Sequence, residues 1–396
     1  MLQAALTAHL VRLDLLEAVR PEILIRFLRP FEEYLTSRGV ALDGVSCDAE
    51  WIAALHAVLN AVDLEMPAEL QQGLLDVADL TTESAHEHVL SIARSHQLGL
   101  FTINVRTTPE DLAFEVYLDH RDIFRSAHAR TQSTEARRFV EFFAKDASPL
   151  VGHDSSAKRA LLARATGAWF RDRNRTAFCD VRVSEVGDEV SFVVIHGRPP
   201  RNHGAIESDE RRTRVTYVPD KHDILVFDRR TGRLAVNAQF SSEQDFYRRV
   251  LGRIFWGDDD HFIAQPVFTG EPLVEEGGAV LQPHGVPGLA GVVLREMKIV
   301  SSDLASAGVI TWKANDLGPL LATPLGRLVL LYGDVLQFQL ALVLSGRPRA
   351  VRVDVQVPNH LSFDRRFGGD IVREYLLESG FMRMPAPASP AGAGAR

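Results

Sequence analysis

The chain has 396 residues with 44 Lys+Arg against 52 Asp+Glu, a formal net charge of −8, which excludes a uniformly basic nucleic-acid coat. Apolar residues at 46% and charged residues at 24% exclude wholesale disorder, and the length predicts two or three domains at roughly 100 to 200 residues each. Two cysteines, Cys47 and Cys179, cannot build a disulfide framework or a four-thiolate zinc site. No charged-then-apolar leader opens the chain, and the longest apolar run, 328–344, is broken by Asp334, Gln337 and Gln339. A reduced, cytoplasmic setting without a membrane span is therefore expected.

The first 100 residues hold 6 Lys+Arg and 15 Asp+Glu, with apolar residues at helical spacing. From Pro21, Leu24, Phe27, Leu28, Phe31 and Leu35 line one face and Gly39 supplies the stop. Asp48 is a cap for a helix carrying Trp51, Leu55 and Leu59, and Ser84 with Glu87 reads as a capping box. Further helices are predicted from Thr108-Pro109 and over Glu135 to Ala144. The fold class expected is thus α+β: an acidic all-helical domain over 1–150, then a mixed α+β region with antiparallel hairpins and a closing C-terminal helix.

After a helix over Ser156 to Asp172 the period changes to alternation. Val181 and Val183 face Val190, Phe192 and Val194 across Gly187-Asp188, and Ile224 to Phe227 pairs with Leu234 to Val236. Ser242 with Asp245 reads as the cap of a helix bearing Phe246, Val250 and Ile254. Leu336, Phe338, Leu340, Leu342 and Leu344 predict one strand, Val351, Val353, Val355 and Val357 its partner, and a helix with Ile371, Val372, Tyr375 and Leu376 closes the fold at Gly380. The expected division is 151–310 for a domain with Arg-rich loops, 311–383 for the last hairpin and helix, and 384–396 for a low-complexity disordered tail.

Phosphate-loop, dinucleotide, nucleophile-elbow and zinc-protease motifs are all absent from the sequence. The order of helix, hairpin, hairpin and helix between Ser156 and Phe255 resembles the core of the PD-(D/E)xK nucleases, whose Asp and Glu-x-Lys hold Mg²⁺ and activate water. Pro219-Asp220 stands where that family has its Asp. Asn237-Ala238-Gln239 stands where it has Glu-x-Lys, so the resemblance implies a site without its charges. One acidic-x-Lys triplet exists, Glu296-Met297-Lys298, with Asp258, Asp259 and Asp260 upstream. With 5 Lys and 52 acidic residues in 396, chance alone supplies fewer than one such triplet, and the bland reading is a solvated strand face. Asp220, Asp258, Asp260, Glu296 and Lys298 form the catalytic set of this alternative, with Mg²⁺ as cofactor; otherwise no cofactor and no metal site are expected. Glu83 with His86 gives half of a di-iron pattern and no second copy.

The strongest anion-binding pattern is His196, Arg198, Arg201 and His203 in a Gly-rich loop, followed by Arg211, Arg212 and Arg214 at the start of the next strand. Glu207, Asp209 and Glu210 offset it, and the bland reading is a solvated connecting loop. His56 and Cys179 read as structural. The expected function is a non-catalytic binding or scaffold subunit of a bacterial multi-protein system, for example one of phage defence. Its protein partner would sit on the N-terminal helical domain and its nucleic acid on the Arg-rich middle region. The alternatives are a metal-dependent nuclease and a nucleotide or small-anion sensor.

Overall fold

The computed structural model describes residues 10–61, 63, 65–95, 108–146, 149–153, 155–206, 211–301 and 308–384. The fold is α+β, and its backbone contacts divide it into two compact units: residues up to Thr131 together with Ser184–Val186, and Gln132–Val183 together with the chain from Gly187 onward. The expected tail lies outside the described residues from 385. No helix among them is long and apolar enough to cross a membrane.

The first unit is built from α1 (Leu13–Ala18), α2 (Pro21–Leu28), α3 (Glu32–Ser37), α4 (Ala49–Leu59), α5 (Ala68–Ala78), α6 (Glu83–Ser95), α7 (Pro109–Asp119) and most of α8 (Arg121–Glu135). Leu24, Phe27 and Leu28 of α2 join Leu70, Leu74 and Val77 of α5 and Leu112, Phe114 and Val116 of α7 in one core, with Phe27 and Phe114 edge to face at 5.0 Å. The first turn of α2 is fixed to α7, because Asp111 accepts from Arg20 N at 2.8 Å and Arg20 Nε at 2.9 Å. Asp48 caps α4 as the sequence predicts, accepting from Trp51 N. The cap of α6 is Thr82, whose hydroxyl accepts from Ala85 N, so Ser84 falls inside the first turn rather than before it.

His88 of α6 is half-buried, with Nδ1 3.3 Å from Thr131 Oγ1. Burial, reinforced by the charge of Arg130, pushes its imidazole down to about 4. A folded value below the unfolded one, about 6.5, means that unfolding takes up a proton. The histidine's contribution is complete above pH 6.5 and is lost as pH falls towards 4. Discounted for partial exposure, His88→Gln should remove about 1–2 kcal/mol of this acid sensitivity. Urea unfolding at pH 7 and pH 4.5 checks it; parallel losses in the two proteins would refute it.

In the second unit the segment read as a helix over 135–144 is instead β1 (Arg138–Ala144), and the helical run ends at Glu135. The remaining elements are α9 (Ser156–Arg171), most of β2 (Cys179–Val186), β3 (Glu189–Gly197), β4 (Arg201–Ile206), β5 (Arg212–Tyr217), β6 (Asp220–Asp228), β7 (Arg233–Asn237), α10 (Ser241–Trp256), β8 (Phe262–Ile263), α11 (Glu271–Glu275), β9 (Leu289–Ser301), β10 (Val309–Lys313), α12 (Gly318–Leu321), α13 (Pro324–Leu331), β11 (Gly333–Leu344), β12 (Val351–Gln356), β13 (His360–Phe363) and α14 (Gly369–Glu378). One sheet runs β10-β9-β11-β12-β13-β1-β7-β6-β3-β2, with β8 beside β1. β1 is its middle strand, antiparallel to β13 on one side and β7 on the other. The division expected at 310/311 falls inside β10, and the regions 151–310 and 311–383 share this sheet. Val140, Phe142 and Ala144 point to a core closed by α9 and α10, whereas Phe143 joins the core under α14. A strand covered on both faces reads as a continuous apolar run and hides its period of two.

Local backbone detail moves β11 and the start of α10 away from the pattern expected of them. The pairing of β11 with β9 shifts between Val335 and Gln337, so Val335 turns inward and Leu336 is 38% exposed instead of sharing the face of Phe338. At α10 the first turn is closed by Glu243, whose carboxylate accepts from Gln239 N and Phe240 N at 3.1 Å. Asp245 pairs with Arg248 and Arg249 instead of capping.

Candidate anion-binding arm

Beyond Gly197 the chain leaves the large sheet and forms the separate two-stranded ribbon β4–β5: β4 stands where the sequence suggested a loop, and β5 is the strand expected to begin at the second arginine group. The register runs from Arg201 opposite Tyr217 to Ile206 opposite Arg212. Opposed residues share a face. One face therefore carries Arg201, His203, Val215 and Tyr217, and the other carries Asn202, Ile206, Arg212, Arg214 and Thr216. All of these are exposed, Ile206 by 79%. Arg201, Arg212 and Arg214 make no ion pair among the described residues, and the rings of His203 and Tyr217 lie 5.6 Å apart. Arg211 is also exposed beside the ribbon. A six-residue ribbon extends about 20 Å at about 3.4 Å per residue, and its described residues meet solvent on both faces.

The root of this arm is held rigidly. Arg198 N donates to Pro219 O at 2.7 Å across it, and His196, one residue inside the sheet, is fully buried and stacked on Phe170 at 3.9 Å. Its Nε2 lies 2.8 Å from Asp223 Oδ2, which also accepts from Tyr247 Oη at 2.9 Å. Lys221 Nζ bridges Asp223 Oδ1 at 2.9 Å and Glu243 Oε2 at 3.1 Å, and Arg175 completes the chain at 2.9 Å from Glu243. Burial opposes ionisation of Asp223, yet the hydrogen bond from His196 and the charge of Lys221 outweigh it and hold the carboxyl below its usual range. Burial, with Asp223 beside it, pushes the Tyr247 phenol well up. His196 is thus a positioning residue at the arm's root, not an anion ligand, because no part of it reaches solvent.

Asp223, Glu243 and Lys221 are the residue types of a nuclease centre, brought together where the sequence singled out Asp220. Here the Lys221 ammonium sits between the two carboxylates and pairs with both. Asp220 is exposed beside His222 at 3.5 Å, and Asn237 donates to Arg138 O. The other proposed set does not assemble either. Glu296 pairs with Lys313 at 3.2 Å and Lys298 at 4.0 Å on β9, while Asp258 pairs with Lys145 just past β1, Asp259 with Arg253 and Asp260 with Arg248. Four strand spacings separate β9 from β1, about 19 Å, beyond the reach of one metal. Among the described residues no group of three or more His, Cys, Asp or Glu is placed to hold a metal ion.

Cys179 is no better placed as a nucleophile, because burial pushes its thiol up to about 12. The signal that could have revealed the root cluster is the period of two in Lys221, Asp223 and Leu225, which places a Lys and an Asp on the inward side of a strand. Comparison with family models and with curated proteins returns no match, so the functional reading rests on the chemistry of the arm.

Proposed function

We propose that the protein is a non-catalytic binding subunit that engages nucleic acid through the β4–β5 arm. The observation that carries this reading is a free-standing ribbon whose Arg201, Arg212 and Arg214 lack carboxylate partners among the described residues. A two-stranded ribbon fits the major groove, about 12 Å wide, and guanidinium groups pair bidentately with phosphate oxygens. The intervening sequence 207–210 includes Glu207, Asp209 and Glu210, whose negative charge offsets part of the arginines' and limits affinity. Binding through a few phosphate contacts on a chain of net charge −8 is modest and salt-dependent.

Reversal of Arg198, Arg201, Arg212 and Arg214 to Glu is expected to weaken binding of a fluorescent DNA duplex by about a hundredfold at 50 mM salt. The slope of log K against log salt should also shrink by close to one unit per lost phosphate contact. Anisotropy titrations at 50 and 200 mM salt measure both. Undiminished binding by the quadruple variant would place the surface elsewhere. Absence of binding by the unaltered chain would leave the apolar residues Ile206, Val215 and Tyr217 as the arm's working surface, for a protein strand added along its edge.

A further inference from the structure

A second concentration of unneutralised guanidinium groups surrounds the turn between β11 and β12. A cleft of about 850 Å³ opens there between the Gly346–Ala350 turn, Arg137, Arg352, Asp354, Asp364 and Phe367. Both of its carboxylates are already engaged. Asp354 accepts from Arg352 Nε at 2.9 Å and Gln339 Nε2 at 2.7 Å, and Asp364 pairs with Arg366 at 2.7 Å and Arg137 at 3.2 Å. Arg347 and Arg349 have no carboxylate partner among the described residues. The Arg347 guanidinium lies 4.0 Å from the centre of the Phe367 ring, and Pro348, whose ring fixes its φ, stands between the two arginines. The cleft thus offers excess positive charge beside a guanidinium that lies over an aromatic ring.

We propose that this cleft binds a nucleotide, its base stacked on the Arg347 guanidinium and its phosphates on Arg349. Arginine planes stack on aromatic faces and on nucleobases alike, so the base extends the Phe367–Arg347 stack by one layer. A bare phosphate would use the charge and leave the stack and most of the volume empty, since sites of 300 to 1,000 Å³ suit ligands of roughly nucleotide size. The turn lies on the same edge of the sheet as the arm, about 19 Å from β6 by strand spacing. A mononucleotide cannot span that distance, and the two sites can be separated by experiment.

Isothermal titration of the full chain with ADP, adenosine and inorganic pyrophosphate tests the assignment. ADP should bind, with adenosine and pyrophosphate each about tenfold weaker or more, because each supplies only one of the two contacts. Arg349→Ala and Arg347→Ala should each weaken ADP about tenfold, and Arg347→Lys should not restore it, since an ammonium keeps the charge but not the plane. The arm variant with Arg201, Arg212 and Arg214 changed to Glu should bind ADP as the unaltered chain does. Pyrophosphate binding as tightly as ADP would reduce the cleft to an anion site, and ADP binding that survives both alanine substitutions, or no ADP binding at millimolar concentration, would overturn the proposal.

Discussion

Arg233→Met is expected to destabilise the sheet-containing unit by about 3–5 kcal/mol, the usual cost of leaving a buried charge without its partner, and to lower its unfolding midpoint by roughly 10 °C. Arg233 is 1% exposed, and its Nη1 donates to Glu141 Oε1 at 2.6 Å, with Asp228 4.0 Å away. Burial works against its charge, but Glu141, Glu189 and Asp228 outweigh that and hold its pKa up. Glu189 in turn pairs with Arg365 at 2.9 Å and Arg373 at 3.2 Å, so three carboxylates face three guanidiniums across one face of β1, β3, β6 and β7. Methionine fills the space of the arginine and leaves Glu141 buried without its ion-pair partner. The double variant Arg233→Met with Glu141→Leu should recover most of the loss, because replacing a buried pair by apolar groups of similar volume is close to neutral. Thermal unfolding of the single and double variants decides it. A single variant within about 1 kcal/mol of the unaltered protein would show that the network contributes order without stability.

The same network explains which parts of the fold could be read from the sequence. Helix α2 and strand β12 each have one wet face, so their periods of 3.6 and 2 appear as spacing, and Asp48 stands where a cap must stand. β1 has no wet face. Its buried Glu141 sits among Phe139, Val140, Phe142 and Phe143, and only Arg233, 92 residues later, makes that charge tolerable. Interactions at that separation leave no local trace. The arm's arginines were visible as a cluster, yet whether they lay in a loop or on a ribbon depended on the pairing of 201–206 with 212–217, which the polar, weakly alternating residues do not announce. Conversely, His196 looked like a ligand because histidine beside Gly and Arg is common at anion sites. Its burial follows from Phe170 and Asp223, neither adjacent in sequence. The Arg347–Arg349 turn carries no local signal beyond that of a connection, since its meaning comes from Phe367 and from carboxylates that partner other arginines.

Asp223→Asn should both destabilise the fold, by about 3–5 kcal/mol, and loosen the arm without touching any of its arginines. In the native protein Asp223 Oδ2 receives His196 Nε2 and Tyr247 Oη while Oδ1 meets the Lys221 ammonium. The amide keeps one acceptor for two donors and turns an NH₂ group towards Lys221, so a buried cation loses one of its two partners. The pH dependence has a definite sign. Because the folded carboxyl is held below the ordinary value, near 3.9 when unfolded, its contribution is present above pH 4 and is lost as pH falls through the lowered folded value. The variant should therefore lose less stability than the unaltered protein between pH 4 and more acidic conditions. At neutral pH amide exchange should quicken at Arg198, whose N–H bridges the root to Pro219 O, and along β4 and β5, since a two-stranded ribbon is marginal without support at its base. DNA affinity should fall with it, because a mobile arm must be ordered on binding even though its phosphate contacts, and hence the salt slope, are unchanged. Faster exchange with a preserved salt slope is the expected pair of results. Unaltered exchange in the arm would mean that the buried cluster stabilises the sheet alone and has no part in presenting the arginines.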